Sequence, residues 1–145
     1  MPRVSEILAG KDHRVHTLDA DTSVHAAIER MVEHNIGSLV VLDDGQIAGI
    51  FTERDFLRRV AIPDRPTRFT ALREVMTTRL VCVDPETPVE ECMSLMTDHR
   101  IRHLPVVREG SLLGMISIGD VVKYISDDRA TEVRVLTEYI TGSRA

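Results

Sequence analysis

The sequence predicts an α/β protein of two similar halves, each ordered strand, helix, strand, strand, helix (βαββα), with a further helix at the C-terminus. Two observations carry this. Slid along itself by 65 residues without a gap, Asp19–Asp55 falls on Asp84–Asp120 with eleven identities, among them Thr22/Thr87, Met31/Met96, His34/His99, Gly49/Gly114 and Asp55/Asp120. Within each copy, apolar residues at helical spacing give way to short continuous apolar runs. A period near 60 residues means two units too small to bury a core alone, so the halves are expected to share one.

Taken in order, His16–Leu18 and Leu80–Val83 read as short buried strands. Asp21-Thr22-Ser23 and Glu86-Thr87-Pro88 open the first helix of each copy, Pro88 near the first helical position. Val24, Ala27, Ile28 and Met31, and then Val89, Cys92, Met93 and Met96, form the apolar faces. Asn35 tolerates the left-handed conformation that ends a helix. Residues 36–42 and 101–107 are strand-like, with Pro105 demanding an edge or an irregular position. Asp43-Asp-Gly45 and Arg108-Glu-Gly110 are turns, 46–51 and 112–116 are the return strands, and Thr52 or Ser117 opens the second helix.

Upstream of each copy stands a related tag, Val4-Ser-Glu6-Ile-Leu8 and Leu72-Arg-Glu74-Val-Met76. The tags are 68 apart, so the first copy carries three extra residues in its Ala9–Val15 loop. The expected units are a first repeat with its N-terminal segment (1–62), a linker with Pro63 and Pro66 (63–70), a second repeat (71–127) and a helical tail (128–145).

Composition bounds the function. A net charge of −5 argues against a nucleic-acid binder, which needs a basic face. No apolar run reaches membrane-spanning length and no signal-peptide pattern opens the chain, so a cytoplasmic location without membrane partners is expected. Cys82 and Cys92 lack metal-binding spacing and are expected as buried free thiols. The six histidines form no metal constellation, and no nucleophile–base pair can be assembled from sequence neighbours. His34 and His99 fall at helix C-termini, where the dipole favours them.

Each copy closes on one phrase, Gly49-Ile-Phe-Thr52-Glu-Arg-Asp55 and Gly114-Met-Ile-Ser117-Ile-Gly-Asp120. The glycine lets another group approach the strand. A hydroxyl at an N-cap with Asp three residues on is a capping arrangement in its own right. The same helix N-terminus, with its unpaired N–H groups, also suits a phosphate, and a carboxylate there can accept both hydroxyls of a ribose.

With both phrases in register inside two full repeats, the chain resembles a pair of CBS domains (named for cystathionine β-synthase), the tandem called a Bateman module, over about residues 3–127. The resemblance implies repeats related by a pseudo-twofold axis, sheets packed together and helices outside, leaving two clefts for adenosyl ligands such as AMP, ADP, ATP, S-adenosylmethionine or NAD(H). It assigns the ribose to Asp55 and Asp120, and ribose or phosphate to Thr52 and Ser117. Arg102 and His103, opposite Gly37-Ser38 in the first copy, and Arg54, opposite Gly119, are further phosphate candidates. The expected function is that of a stand-alone regulatory module, a homodimer through its helical faces, acting on an effector protein in trans with no catalytic cofactor. A ligand-free scaffold in which the phrases only cap helices is the alternative. A nucleotide hydrolase would need a second catalytic group that the sequence does not offer.

Overall fold

A computed structural model of the chain describes residues 2–10 and 15–127. The elements are α1 (Val4–Ala9), β1 (Thr17–Asp19), α2 (Val24–His34), β2 (Ser38–Asp43), β3 (Gln46–Thr52), α3 (Glu53–Asp55, widening into a π-helical run Phe56–Ala61), α4 (Leu72–Val75), α5 (Val89–His99), β4 (His103–Arg108) and β5 (Ser111–Ser117). Residues 118–127 are helical. The expected tail helix at 129–140 and the Lys11–Arg14 part of the first-repeat insertion lie outside the described residues.

The repeats fold alike because their local signals agree. Ser23 caps α2, its hydroxyl accepting from Ala26 N–H at 3.1 Å, and both α2 and α5 end in a left-handed residue, Asn35 and Arg100. The hairpins turn at Asp44-Gly45 and Glu109-Gly110, all four with positive φ, as a two-residue turn matched to strand twist requires.

In the first repeat β1 runs parallel to β2, and β2 antiparallel to β3. In the second, the strand expected at Leu80–Val83 shrinks to one bridge, Val83 with Val106. Proline explains the loss. Val40 N–H donates to His16 O (3.1 Å) and Ala20 N–H to Leu42 O (2.8 Å), flanking the β1–β2 ladder. The matching positions are Pro105 and Pro85, which have no N–H to give. With the ladder gone, Cys82 is exposed rather than buried as expected. Cys92 is buried, and desolvation, with Glu91 beside it, pushes its thiol up to about 11.

Each tag serves the other repeat. Val4, Ile7 and Leu8 of α1 sit in one core with Val89, Cys92, Met96, Leu104, Val106 and Ile116 of the second repeat. Leu72, Val75 and Met76 sit in the other with Val24, Ala27, Met31, Leu39, Val41 and Phe51 of the first. The backbone bonds are the same on both sides. Val4 N–H donates to Thr87 O and Ser5 N–H to Pro85 O (2.9 Å each), as Leu72 N–H donates to Thr22 O and Arg73 N–H to Ala20 O (2.9 Å each). The charges around these seats are inverted. Arg73 bridges Asp21 (3.2 Å) and Asp43 (2.7 Å), whereas Glu86 bridges Arg3 (2.6 Å) and Arg108 (3.5 Å).

The sheets present their other faces to one another. Val40 (0% exposed), Ile50 and Pro105 are buried outside both helix-side cores, and the Ser38 hydroxyl lies 3.6 Å from Met115 Sδ across the seam. This is the α/β architecture expected, helices outside and sheets together.

The strand glycines are spaces for the exchanged tags. A Cβ on Gly49 would stand 2.6 Å from Thr77 O, a backbone atom, and one on Gly114 would stand 2.9 Å from the Leu8 side chain. Gly49→Ala should therefore destabilise by roughly 2–3 kcal/mol in denaturant melts and Gly114→Ala by roughly 1 kcal/mol, because only the side chain can move aside. Equal costs would contradict this packing.

Arg73 holds the Asp43 carboxyl below its ordinary value, by hydrogen bond first and charge second. A depressed carboxyl stabilises above its unfolded pKa, near about 4, and loses that contribution as pH falls through the folded value. Arg73→Gln should lower Tm at pH 7 in dilute buffer, with the difference from wild type shrinking below about pH 4 and in about 1 M salt. Melting curves across both variables check it.

Candidate functional site

Both closing phrases stand where a strand of the seam turns into a helix. Thr52 ends β3 in extended conformation, φ −122° and ψ 166°, and caps α3. Its hydroxyl accepts from Asp55 N–H at 3.1 Å, and Asp55 Oδ2 accepts from Thr52 N–H at 3.0 Å and from the Thr52 hydroxyl at 3.1 Å. The second phrase repeats this, Ser117 N–H to Asp120 Oδ2 at 2.8 Å and Asp120 N–H to the Ser117 hydroxyl at 3.1 Å. Both are reciprocal capping boxes.

A cap does not use up the carboxylate, which offers about four acceptor positions. The sheet register brings further candidates to each phrase. Ser38 pairs with Thr52, and His103 with Ser117. Gly37 O accepts from Glu53 N–H at 3.1 Å, as Arg102 O accepts from Ile118 N–H at 2.8 Å. Arg102 and His103 thus stand beside Ser117 and Asp120. Arg54 is exposed on the first turn of α3, with no ion pair among the described residues.

The residues around the two phrases differ in charge. A Cβ on Gly37 would meet Glu53 Oε1 at 2.7 Å, so the Glu53 carboxylate lies against Gly37, on the side where it also lines the groove between α2 and α3. At the matching positions the second repeat has the cation Arg102 and the uncharged Ile118.

Two residues near Asp55 were not foreseen. The Thr77 hydroxyl donates to Asp55 Oδ1 at 2.8 Å, and Arg59 Nε is 3.9 Å from the same oxygen while its Nη1 donates to Met76 O at 2.9 Å. Arg59 was legible as an i,i+4 partner. Thr77 was not, since it reaches Asp55 only because α4 sits on the first repeat. Asp55 ends 7% exposed, whereas Asp120 is part-exposed. Among the described residues, no three His, Cys, Asp or Glu side chains gather as a metal site, and no helix is long and apolar enough to cross a membrane.

A groove of about 370 Å³ lies away from the seam, between α2 and α3, lined by Ile28, Val32, Ile36, Phe56 and Leu57 among others. Val32 is 76% and Leu57 58% exposed.

The sequence profile of the CBS domain matches residues 4–62 and 72–127. The chain belongs to the CBS-domain family. It is 42% identical over 127 residues to the CBS domain-containing protein CBSX3, mitochondrial, of Arabidopsis thaliana, a match covering 84% of this chain and 62% of that protein. A CBS-domain protein of Burkholderia ambifaria MC40-6 superposes with TM-score 0.85 at 43% identity, covering 88% of this chain and 96% of that one. The hexameric CBS-CP12 protein from bloom-forming cyanobacteria superposes with TM-score 0.76 at 27% identity, over 97% and 90% of the two chains. A CBS pair is typically a regulatory, nucleotide-binding module.

The capping boxes set a stability cost. Thr52→Ala should destabilise by about 0.5–2 kcal/mol, the range for an N-cap, with Thr52→Ser close to wild type in urea melts. A neutral Thr52→Ala would remove the box as a structural element.

Proposed function

We propose that the chain is a regulatory CBS pair that binds an adenine nucleotide at the two seam-facing phrases, AMP before ADP, ATP or NAD(H). Occupancy passes to a partner protein, in the cytoplasm, as a change of conformation. The observation that carries the reading is the repeated juxtaposition of hydroxyl, carboxylate and helix N-terminus on the seam side of both sheets. Asp55 and Asp120 face the ribose. Thr52 and Ser117 lie at ribose or phosphate, Arg54 and Arg102 supply positive charge, and His103 adds a polar ring beside the phosphate. AMP is the smallest adenosyl ligand that offers a ribose, a phosphate and an apolar ring together. Glu53 against Gly37 near one phrase and Arg102 beside the other support unequal affinities for an anion. Ligand shifts conformation only as far as it binds two arrangements differently, and no catalytic role follows from these groups.

The exposed groove around Val32 and Leu57 supports self-association through the helical faces, with a homodimer as the unit. Hexameric assembly of the cyanobacterial relative points the same way. A ligand-free scaffold is the second reading, favoured by the completeness of both capping boxes.

Thermal shift separates them. Ligand at 100 times its Kd stabilises the native state by about 2.7 kcal/mol, a rise of several degrees in Tm. AMP at millimolar concentration should give that rise, and Asp55→Asn and Asp120→Asn should each remove one binding event in calorimetry. No shift with AMP, ADP, ATP, S-adenosylmethionine or NAD(H) would leave the scaffold.

A further inference from the structure

We propose that Thr77 is a latch on the first cleft: its hydroxyl holds the Asp55 oxygen that a ribose hydroxyl has to take. The inference rests on the reading of Asp55 as the ribose carboxylate. It adds a residue outside either repeated phrase.

The acceptor count of Asp55 argues for it. Oδ2 already takes the N–H and the hydroxyl of Thr52, at 3.0 and 3.1 Å. Oδ1 takes the Thr77 hydroxyl at 2.8 Å. Three of about four acceptor positions are occupied, and a ribose diol needs two. The Thr52 bonds belong to the cap of α3, so removing them costs helix stability. Thr77 is differently placed. Its backbone is fixed by a bridge to Ile50, with Ile50 N–H to Thr77 O at 3.0 Å and Thr77 N–H to Ile50 O at 2.8 Å. Its hydroxyl can therefore rotate away from Oδ1 while the chain stays put. Only 7% of Asp55 is exposed, so a diol reaches the carboxylate by taking the place of a group already on it. The matching position of the other tag, 68 before Thr77, is Ala9 of α1, a residue without a hydroxyl.

Removing the hydroxyl should therefore weaken the empty protein and strengthen the complex, whereas a merely structural bond would do only the first. The test is calorimetric titration of AMP into the full chain carrying Asp120→Asn, which silences the second cleft, with Thr77 intact, Thr77→Val or Thr77→Ser. Thr77→Val should melt lower without ligand yet bind AMP roughly tenfold tighter, as expected for a charge-assisted hydrogen bond no longer competed for. Thr77→Ser should restore both values. If Thr77→Val lacks a cooperative melt, Thr77→Ala is read in its place. Unchanged or weaker AMP binding by the Thr77 variants, where Asp55→Asn still abolishes it, overturns the latch alone. Absence of AMP binding in every protein, wild type included, overturns the nucleotide reading and the latch with it.

Discussion

The exchange of tags between repeats is the constraint on which the rest depends. Four short backbone bonds seat α1 on the second repeat and α4 on the first, and apolar side chains of each tag complete a core that its host cannot close alone. This fixes which strand positions must be glycine and which edge of the first sheet is covered, by the bridge of Thr77 to Ile50. It also fixes what surrounds Asp55. Exposed ion pairs contribute little to stability singly. The inverted polarity of the two clasps bears instead on pairing: Arg73 set on the second repeat would meet Arg108 where it now meets Asp43.

Much of the fold was legible because local signals agreed with the global pattern. The repeat offset matched Ser38 with His103 and Thr52 with Ser117 in advance, and the helix caps and hairpin turns fell where residue chemistry put them. What was not legible was long-range. The tags could be read as a repeated element, but nothing in Val4–Leu8 says that its seat lies beyond residue 80. The glycines were read as room for an approaching group. That group is Thr77 O at one and Leu8 at the other. The loss of the second parallel strand could have been found, since Pro85 and Pro105 match the donors Ala20 and Val40, but only by comparing hydrogen-bond roles rather than side-chain types.

The candidate site divides the same way. The capping geometry of Thr52, Asp55, Ser117 and Asp120 followed from spacing, and so did the contrast between Gly37-Ser38 and Arg102-His103. Glu53 against Gly37 adds to that contrast, since the second repeat has the uncharged Ile118 at the matching position. A residue that belongs to neither phrase, Thr77, depends on the tag exchange and was invisible without it.

The exchange also sets an order of events during synthesis. Val4, Ile7 and Leu8 emerge well before their core partners, which run from Val83 to Val121, so this apolar segment waits for the second repeat. Contacts of such sequence separation slow folding and couple it into one step. The first repeat cannot settle on the ribosome either, because Leu72, Val75 and Met76 must arrive to close it. A nascent chain halted in the linker would thus expose both the unclosed core of the first repeat and the unpaired apolar face of α1.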